Sequence, residues 1–368
     1  MPDKIVLMQY QSLPLEAKIN MSLNRIREWY NFWCGDVFIS FSGGKDSTVL
    51  ADLVHSLYPD VPLVFSNTGL EFPEIVEFAK SKGAVMLRPK MTFPAVLTKY
   101  GYPLVSKENS DVISSARHIQ NGSKGARGNV GKIKTNVNGE WLNWRRKALH
   151  GIPPFDKGAY AKKKWLPLAR DTQFNISSYC CNVMKKSPLN GYSKGGLYPY
   201  IGTLACESAL RERTWIKNGC NSYDTVHKSS NPLSFWTEQD ILQYIKQKGL
   251  QICSVYGDIV EVNNELTCTG YNRTGCTFCL FGCHLEKEPS RFQMLKKTHP
   301  KLYDYCLRGG QWVDNPAYDE TAPEYDDFWK NWNPKKIWIP GNGGLGMKYV
   351  FDCCNAIYGK EFIKYEGI

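Results

Sequence analysis

Long apolar runs are missing from this sequence of 368 residues. No segment approaches about 18 consecutive apolar residues, the length that a membrane-spanning helix needs. The opening residues, MPDKIVLMQYQ, do not combine a basic region with a long apolar run, so we expect no secretory signal peptide. These absences predict a cytoplasmic protein that has no membrane partner.

Acidic residues are scarce between positions 117 and 170, where 13 lysines and arginines accompany only two acids, Glu140 and Asp156. The net charge of +11 lies entirely in this stretch, because basic and acidic residues are equal in number elsewhere. Gly, Asn and Ser dominate its middle, and from about 107 to 170 the apolar periodicity of helices and strands is missing. We therefore predict a mobile basic insertion, which we place at 111–170.

Disulfides are also not expected, although the chain has 13 cysteines. Without an export signal the compartment is reducing, where clustered cysteines more often ligate a metal ion or a cluster. Isolated cysteines are more often small buried residues. We assign this packing role to Cys34, Cys206, Cys220, Cys253, Cys306, Cys353 and Cys354.

Strand and helix patterns alternate in the rest of the chain. The predicted strands are 36–41, 61–66, 84–88 and 197–204, and the predicted helices are 15–30, 47–57, 73–82, 208–217 and 237–248. Thr237 and Asp240 are spaced as a capping pair at the start of the last helix. Alternation with short connections is typical of an α/β fold and predicts a doubly wound parallel sheet with helices on both faces.

A glycine loop follows the first predicted strand, in the stretch FISFSGGKDSTVLADL at 38–53. A loop between a strand and a helix presents backbone N–H groups and the positive end of the helix to one point, which suits phosphate. Glycines allow the backbone to approach the ligand, Lys45 adds a positive charge, and Asp46 can hold Mg²⁺. The predicted phosphate-binding residues are Ser42, Gly43, Gly44, Lys45, Asp46 and Ser47.

This loop differs from two common phosphate-binding motifs. A Walker loop needs G-x-x-x-x-G-K-[ST], but Ile39 stands at the position of the first glycine and Asp46 follows the lysine. The Rossmann fingerprint G-x-G-x-x-G is also absent. A tight strand-to-helix turn with chance polar residues is the alternative interpretation.

In this setting SGGKDS resembles the PP-loop of the N-type ATP pyrophosphatases, which belong to the adenine nucleotide α-hydrolase superfamily with its HUP-like fold. Those enzymes cleave ATP between the α and β phosphates, adenylate a substrate and release pyrophosphate. The resemblance implies ATP and Mg²⁺ as ligands, and catalytic roles for Lys45 and Asp46.

A second stretch, SNTGLEFPE at 66–74, is similar to the DTGxExPET motif of the phosphoadenosine phosphosulfate (PAPS) reductase family. In that family the motif follows the second strand and borders the nucleotide. The resemblance therefore implies binding roles for Thr68, Gly69 and Glu71. Asn67 replaces the acid that usually begins the motif.

Two further motifs occur in the order typical of the family. GTLACESALRERTW at 202–215 resembles G-x-R-x-x-E-S-x-x-R, which implies catalytic roles for Glu207 and Arg211, although Leu204 takes the place of the first arginine. NPLSFWTEQDILQYI at 231–245 resembles the P-L-x-x-W-T-x-x-D-V-W-x-Y-I helix. The four motifs together cover about 35–245, apart from the basic insertion.

Two cysteine pairs extend the resemblance. SSYCCNVMKKSPL is similar to the CC-x-x-x-K-x-x-P-L motif of iron–sulfur sulfonucleotide reductases, in which Cys-Cys and a later C-x-x-C hold a [4Fe–4S] cluster. Cysteine-rich C-x-x-C arrangements also occur in the DNA phosphorothioation ATP pyrophosphatases, and a structural zinc ion is the alternative. By the reductase match the ligands are Cys180, Cys181, Cys276 and Cys279, with Cys268 and Cys283 as substitutes for one of them.

The sequence departs from the reductases in two places. Their nucleophilic cysteine lies in a C-terminal E-C-G-L-H tail, whereas this sequence ends IKYEGI after Cys353 and Cys354. They also lack the full SGGKDS loop, because their ligand carries no β–γ pyrophosphate. We therefore predict an ATP-dependent sulfur-transfer enzyme that adenylates nucleic acid, similar to DNA phosphorothioation. A sulfonucleotide reductase that uses Cys353 or Cys354, or a non-catalytic ATP- and nucleic-acid-binding protein, are the alternatives.

Nucleic acid is the predicted partner of the basic insertion, because its cations can neutralise phosphates and its tryptophans, Trp141, Trp144 and Trp165, can stack on bases. A solvated loop is the alternative. The predicted contacts are Lys124, Arg127, Lys132, Lys134, Arg145, Arg146, Lys147, Lys162, Lys163 and Lys164. Sulfur transfer also calls for a donor protein such as a cysteine desulfurase, and a homo-oligomer stays open.

Three regions follow from these assignments. A PP-loop nucleotide-binding α/β domain comprises 1–110 and 171–260, the basic inserted segment comprises 111–170, and a cysteine-rich and aromatic-rich C-terminal region comprises 261–368.

Overall fold

The computed structural model describes residues 3–117, 144–321 and 332–367. Their contacts divide the chain into two compact units, Met1–Lys90 with Met184–Cys276, and Met91–Val183 with Thr277–Ile368. The three regions predicted from the sequence were defined by function, and a division by contacts does not test them. They stay a prediction.

Both units contain α-helices and β-strands. The α-helices are α1 (Lys4–Gln11), α2 (Leu15–Phe32), α3 (Lys45–His55), α4 (Pro73–Ser81), α5 (Phe93–Tyr100), α6 (Lys107–Arg117), α7 (Trp144–His150), α8 (Leu166–Asp171), α9 (Ser187–Ser193), α10 (Ala209–Asn218), α11 (Glu238–Lys248), α12 (Arg291–Thr298), α13 (Pro300–Leu307) and α14 (Met347–Tyr358). The strands are β1 (Val37–Phe41), β2 (Leu63–Ser66), β3 (Val85–Leu87), β4 (Leu104–Val105), β5 (Tyr198–Ile201), β6 (Asn221–Ser222), β7 (Ser229–Ser230), β8 (Ile259–Val262), β9 (Glu265–Cys268), β10 (Leu280–Phe281), β11 (Gln311–Asp314) and β12 (Lys336–Ile339).

The elements predicted from the sequence are present, with ends shifted by at most three residues. The helix predicted from Ser47 begins two residues earlier, because Gly44 is extended and serves as the N-cap of α3. The capping pair at α11 is confirmed: Thr237 Oγ1 accepts the Asp240 N–H at 3.3 Å, and Asp240 Oδ2 accepts the Thr237 N–H at 2.7 Å. Local signals therefore located these elements well.

A six-stranded sheet forms the centre of the first unit, in the order β3-β2-β1-β5-β7-β6. All neighbouring pairs are parallel except β6 with β7, which is antiparallel. The chain proceeds from β1 through β2 to β3 on one side and then returns to β5 on the other side of β1. This confirms the doubly wound α/β fold and places a topological switch point at the carboxyl end of β1, where such sheets bind ligands.

A buried ion pair connects two helices of the first unit. Lys18, on α2, donates to both carboxylate oxygens of Asp240 at 2.8 and 2.7 Å, and to Gln11 O at 2.7 Å. Only 2% of the Lys18 side chain is exposed. Because Asp240 also caps α11, this pair fastens α2 to the start of α11.

The second unit contains three helices where the sequence indicated no regular structure. These are α6, α7 and α8, so that prediction is wrong for the described part of 107–170. Arg117 connects α6 to α8: its guanidinium is buried and donates to Leu168 O at 2.9 Å and Ala169 O at 2.7 Å, and also to Phe174 O at 2.7 Å. Burial lowers the pKa of Arg117 to about 9. A charged residue thus serves as an internal tie, which a count of charges along the sequence cannot detect.

Small sheets and aromatic contacts complete this unit. β4 and β10 pair in parallel, and β11 and β12 pair antiparallel with the rings of Trp312 and Trp338 5.4 Å apart. Tyr102 donates its hydroxyl to Leu345 O at 2.9 Å. Within the described ranges, no helix has both the length and the apolar character needed to cross a membrane.

Candidate nucleotide site

The glycine loop connects β1 to α3 at the switch point of the sheet. Gly43 has a φ of +69°, and a Cβ atom added to it would lie 2.9 Å from Ile75 Cγ2. Both observations require glycine at this position. Ser47 Oγ accepts the Ser42 N–H at 3.2 Å and donates to Gly44 O at 3.0 Å, which closes the turn. The loop is therefore a preformed connection held by its own serines.

Lys45 is the first residue of α3, and its side chain is buried. Its Nζ donates to Glu238 Oε1 at 3.0 Å and lies 3.9 Å from Cys268 Sγ and 5.4 Å from the centre of the Tyr256 ring. A helix N-terminus already favours anions because its first N–H groups lack partners within the helix. The buried ammonium adds a full positive charge to that end of α3.

Asp46 follows Lys45 in the first turn of α3. Burial raises the pKa of its carboxyl group, and Glu238 acts in the same direction, whereas the positive charges of Lys45, Arg273 and Arg211 lower it. The carboxyl group thus lies in a partly desolvated position among three cations. Its predicted role as a Mg²⁺ ligand stays a prediction.

A cavity of about 110 Å³ adjoins the loop in the first unit. It is bounded by the ends of β1 and β2, by the glycine loop, and by segments from two later parts of the chain. Its polar lining includes Ser40, Ser42, Ser66, Glu71, Lys185 and Thr274. The predicted loop residue Ser42 and the predicted motif residue Glu71 therefore share one cavity.

The 66–71 segment forms a compact turn after β2. Glu71 accepts hydrogen bonds from the Thr68 N–H at 3.0 Å and from the Thr68 hydroxyl at 2.8 Å, and it lies 3.6 Å from Lys185 Nζ. Asn67 Oδ1 accepts the Gly69 N–H at 3.1 Å, and Gly69 has a φ of +73°. The asparagine that replaces the usual acid therefore supports the turn, and direct nucleotide contacts of Thr68, Gly69 and Glu71 remain predictions.

Glu207 and Arg211 also come together in the first unit. Glu207 Oε2 accepts the Leu204 N–H at 3.1 Å, and the carboxylate pairs with the guanidinium groups of Arg211 and Arg273. Ser208 caps α10 by accepting the Arg211 N–H at 3.3 Å. Leu204, which replaces the first arginine of the motif, is buried and contributes its backbone N–H.

Four residues at the loop were not identified from the sequence. Glu238 lies at an unspecified position of the 231–245 motif, and the other three lie outside the four motifs, namely Tyr256, Arg273 and Thr274. The Tyr256 hydroxyl is hydrogen-bonded to Thr274 Oγ1, and both atoms lie within 4 Å of the point where a Cβ on Gly44 would be. The one sequence signal that could have drawn attention to Arg273 is its position three residues before Cys276.

The predicted cluster cysteines lie in two kinds of local structure. Cys180 and Cys181 begin a helical segment that continues as the π-helical turn Asn182–Lys186, and Cys276 and Cys279 flank a turn. Among residues 3–117, 144–321 and 332–367, no three His, Cys, Asp or Glu side chains are grouped so as to hold a metal ion. The [4Fe–4S] cluster and its four cysteine ligands stay a prediction from the motifs.

The remaining cysteines divide by exposure. Cys283 is buried and donates to Leu280 O at 3.0 Å, and burial raises the pKa of its thiol to about 12, which disfavours the thiolate that a cluster needs. Cys34 and Cys206 are exposed, so the packing role predicted for them is wrong. Cys220, Cys253, Cys306 and Cys354 are buried as predicted.

Cys353 and Cys354 both lie on α14, in the second unit. Cys354 is buried, and burial raises the pKa of its thiol well above the usual value. Cys353 is half-buried, and its pKa is also raised, chiefly by burial. Neither thiol has the lowered pKa that an attacking cysteine needs at neutral pH.

The basic segment contains both surface and interior residues. Arg146 is buried and donates to Ala116 O at 3.0 Å, and Lys162 is buried and pairs with Glu108 Oε1 at 2.8 Å. The prediction that these two cations are available to a nucleic acid is therefore corrected. Lys163 and Lys164 are exposed, and Arg145 and Lys147 are half-buried. Lys124, Arg127, Lys132, Lys134 and Trp141 lie outside the described residues.

The two described tryptophans of that segment, Trp144 and Trp165, pack within the second unit. Trp165 is buried, and its ring lies 5.6 Å from that of Tyr358 and 6.2 Å from that of Phe362. Trp144 lies 5.6 Å from the ring of Tyr160. The stacking role predicted for Trp165 is therefore wrong, because its ring belongs to the core.

Comparisons with known proteins agree with the motifs. Among curated proteins, the chain is similar to the uncharacterized protein MJ0973 of Methanocaldococcus jannaschii, with 23% identity over 322 residues, 83% of this chain and 55% of the relative. It is also similar to the adenosine 5'-phosphosulfate reductase of Staphylococcus epidermidis, with 23% identity over 255 residues, 69% of this chain and 74% of the relative. The chain thus spans little more than half of the M. jannaschii relative.

A solved structure shows a distant likeness. It is the phosphoadenylyl-sulfate (PAPS) reductase from Candida auris, with a TM-score of 0.34 and 11% identity, covering 72% of this chain and 98% of that one.

A family model gives the broadest assignment. The phosphoadenosine phosphosulfate reductase domain matches residues 36–93 and 155–280, two stretches that together make up half of the chain. The first contains the glycine loop and the 66–74 motif, and the second contains the 202–215 and 231–245 motifs with both cysteine pairs. The chain therefore belongs to the phosphoadenosine phosphosulfate reductase domain family.

Proposed function

We propose that this chain binds ATP at the glycine loop and cleaves it between the α and β phosphates, which adenylates an acceptor for sulfur transfer. The observation that carries the proposal is the position of Lys45. This residue is the first of α3, it directly follows Gly43 and Gly44 at the switch point of the sheet, and its side chain is buried. Membership of the PAPS reductase family supports a nucleotide-utilising enzyme of sulfur metabolism.

The proposed chemistry uses groups of the first unit. An acceptor oxygen attacks the α-phosphorus, the bond from that phosphorus to the α–β bridging oxygen breaks, and pyrophosphate leaves with the electron pair. Negative charge grows on the bridging oxygen, where Lys45 and the N-terminus of α3 stabilise it. Asp46, the next residue, is the proposed holder of Mg²⁺. AMP on the acceptor is then a good leaving group for an incoming sulfur species.

The two cysteine pairs are assigned to the sulfur chemistry. The proposed [4Fe–4S] ligands are Cys180, Cys181, Cys276 and Cys279. Visible absorption and iron content of anaerobically purified protein test this assignment, with loss of iron in Cys180→Ser and retention in Cys253→Ser, a buried cysteine outside both pairs. A colourless, zinc-containing protein contradicts the cluster. A cysteine desulfurase is the proposed donor protein.

Nucleic acid is the proposed acceptor. Support comes from the excess positive charge of 117–170, of which Lys163 and Lys164 are exposed. Phosphate contacts make affinity fall with salt, so Lys163→Ala with Lys164→Ala should weaken DNA or RNA binding and flatten its salt dependence. Salt-independent binding, or unchanged binding in this double variant, counts against these contacts.

Product analysis tests the central reaction. With ATP labelled at the γ-phosphate, wild-type protein plus acceptor should release labelled pyrophosphate. With ATP labelled at the α-phosphate, the label should pass to the acceptor as AMP and be released as free AMP only when a sulfur donor is added. Lys45→Ala should give none of these products. Formation of ADP and orthophosphate would place the cleavage elsewhere and contradict the proposal.

Reduction of a sulfonucleotide is the second candidate, because the chain resembles a protein named adenosine 5'-phosphosulfate reductase. Sulfite release from APS or PAPS with a thiol donor would support it. The raised pKa values of Cys353 and Cys354 argue against either as the nucleophile. If sulfite release persists in Cys353→Ser and in Cys354→Ser, the protein is a reductase and neither residue is its nucleophile.

A further inference from the structure

Two guanidinium groups share one carboxylate beside the glycine loop. Arg211, in the first turn of α10, and Arg273, in the segment after β9, both pair with Glu207. Only 16% of the Glu207 side chain is exposed, against 42% for Arg211 and 67% for Arg273. One anion therefore holds two cations, and the cations are the members that face solvent. These three side chains carry a net charge of +1, and the nearby carboxyl group of Asp46 is the position proposed for Mg²⁺.

The neighbour of Arg273 fixes its place at the loop. Thr274 Oγ1 is hydrogen-bonded to the Tyr256 hydroxyl, and it lies 3.7 Å from the point where a Cβ on Gly44 would be. The Tyr256 hydroxyl lies 3.3 Å from that same point, and its ring lies 5.4 Å from Lys45 Nζ. Arg273 is thus one residue away from an atom that lies beside the glycine loop. The positive charges of Arg273 and Lys45 both act on the carboxyl group of Asp46, so the two residues are neighbours in space, although 228 positions separate them in the chain.

The charges around the loop match a ligand with several phosphates. Lys45 and the N-terminus of α3 offer one positive locus, which suits a single phosphate. The β and γ phosphates of a nucleoside triphosphate bring further negative charge, and guanidinium groups bind phosphate oxygens through paired N–H donors. A nucleoside monophosphate has no group at either position, and a sulfonucleotide has a single sulfate group at the first and no group at the second.

We propose that Arg273, together with Arg211, binds the β and γ phosphates of the nucleotide and so selects triphosphates over nucleoside monophosphates and sulfonucleotides. Glu207 holds both guanidinium groups in place without neutralising them. Arg273 lies outside the four family motifs of the sequence, and it belongs to the segment that leads to Cys276. This inference rests on the proposed function, because it assumes that the triphosphate is the nucleotide that is used.

Binding measurements with three probes test the inference. Calorimetry with ATP, inorganic pyrophosphate and AMP compares wild-type protein with Arg273→Ala, Arg273→Lys and the control Arg213→Ala, an exposed arginine on α10. Arg273→Ala should weaken ATP and pyrophosphate binding by about ten- to a hundredfold, whereas AMP binding stays within about twofold. Arg273→Lys should restore part of the loss, and Arg213→Ala should match the wild type.

Two results would overturn the inference: ATP affinity that is unchanged in Arg273→Ala, or AMP affinity that falls as much as ATP affinity. Retained AMP binding shows that the variant is folded at this site. Wild-type protein that binds ATP through Arg273 but releases no pyrophosphate supports the inference and contradicts the proposed function. Pyrophosphate release with equal ATP affinity in wild type and Arg273→Ala contradicts the inference alone.

Discussion

Lys45 Nζ and Glu238 Oε1 lie 3.0 Å apart, which joins the first turn of α3 to the first turn of α11. The lysine side chain is 6% exposed and the glutamate side chain is 56% exposed. An ammonium group has three donors and no acceptor. Glu238 takes one of these donors and places a negative charge close to where a phosphate would bind, so it competes with an anionic ligand.

Glu238→Gln should therefore strengthen ATP binding. Because the partner is largely exposed, the pair is weak, and we expect a gain of about two- to fivefold at low salt. Calorimetric titration with ATP measures it, and Glu77→Gln, in an exposed pair with Lys80, serves as the control. A loss of affinity in Glu238→Gln would show instead that Glu238 orients Lys45 for binding.

Gly43→Ala should disturb the loop in two ways, because the position has a positive φ and its Cβ would crowd Ile75. The backbone strain alone costs about 1–2 kcal/mol. Gly83→Ala is the matched control, since its φ is +72° and open space surrounds it. Urea unfolding should show a larger loss of stability for Gly43→Ala, and ATP binding should be lost only there. Equal losses of stability in the two variants would show that crowding against Ile75 does not contribute.

Lys18→Met should destabilise the first unit strongly. It would leave Asp240 as an uncompensated buried carboxylate, and breaking a buried ion pair typically costs about 3–5 kcal/mol. Lys80→Met, which breaks an exposed pair on α4, should cost about 1 kcal/mol or less. Urea unfolding followed by circular dichroism separates the two cases. Similar losses would mean that the Lys18 pair does not fasten α2 to α11.

Asp46 should make stability depend on pH. Burial raises the pKa of its carboxyl group in the folded protein, so the folded state holds this proton more tightly than the unfolded chain does. Its contribution to the free energy of unfolding therefore decreases as pH rises from the usual pKa of Asp through the raised folded value. Asp46→Asn should be more stable than the wild type at neutral pH, with a flatter profile, whereas Asp60→Asn, at an exposed position, should keep the wild-type profile. An unchanged profile in Asp46→Asn would contradict this assignment.

Local chemistry explains how much of the fold was predictable. The α11 cap depends on Thr237 and Asp240 alone, and the glycine loop depends on contiguous residues after β1. Arg273 and Tyr256 reach the loop only after the chain has folded, and no local pattern records that approach. Arg146 shows the opposite error: among charged neighbours it was predicted to be exposed, but its guanidinium is buried and donates to a carbonyl of α6. The periodicity of a sequence indicates which face of a helix or strand is buried. It does not indicate which polar side chains from distant parts of the chain come into contact.

Exchange of labelled pyrophosphate into ATP tests the central claim most directly. Adenylation is reversible before sulfur arrives, so wild-type protein with Mg²⁺ and a nucleic-acid acceptor should carry the label into the β and γ phosphates of ATP. Lys45→Ala should abolish the exchange, whereas Lys80→Ala should not. Exchange that persists in Lys45→Ala, or ATP hydrolysis to ADP with no exchange in the wild type, would contradict the account.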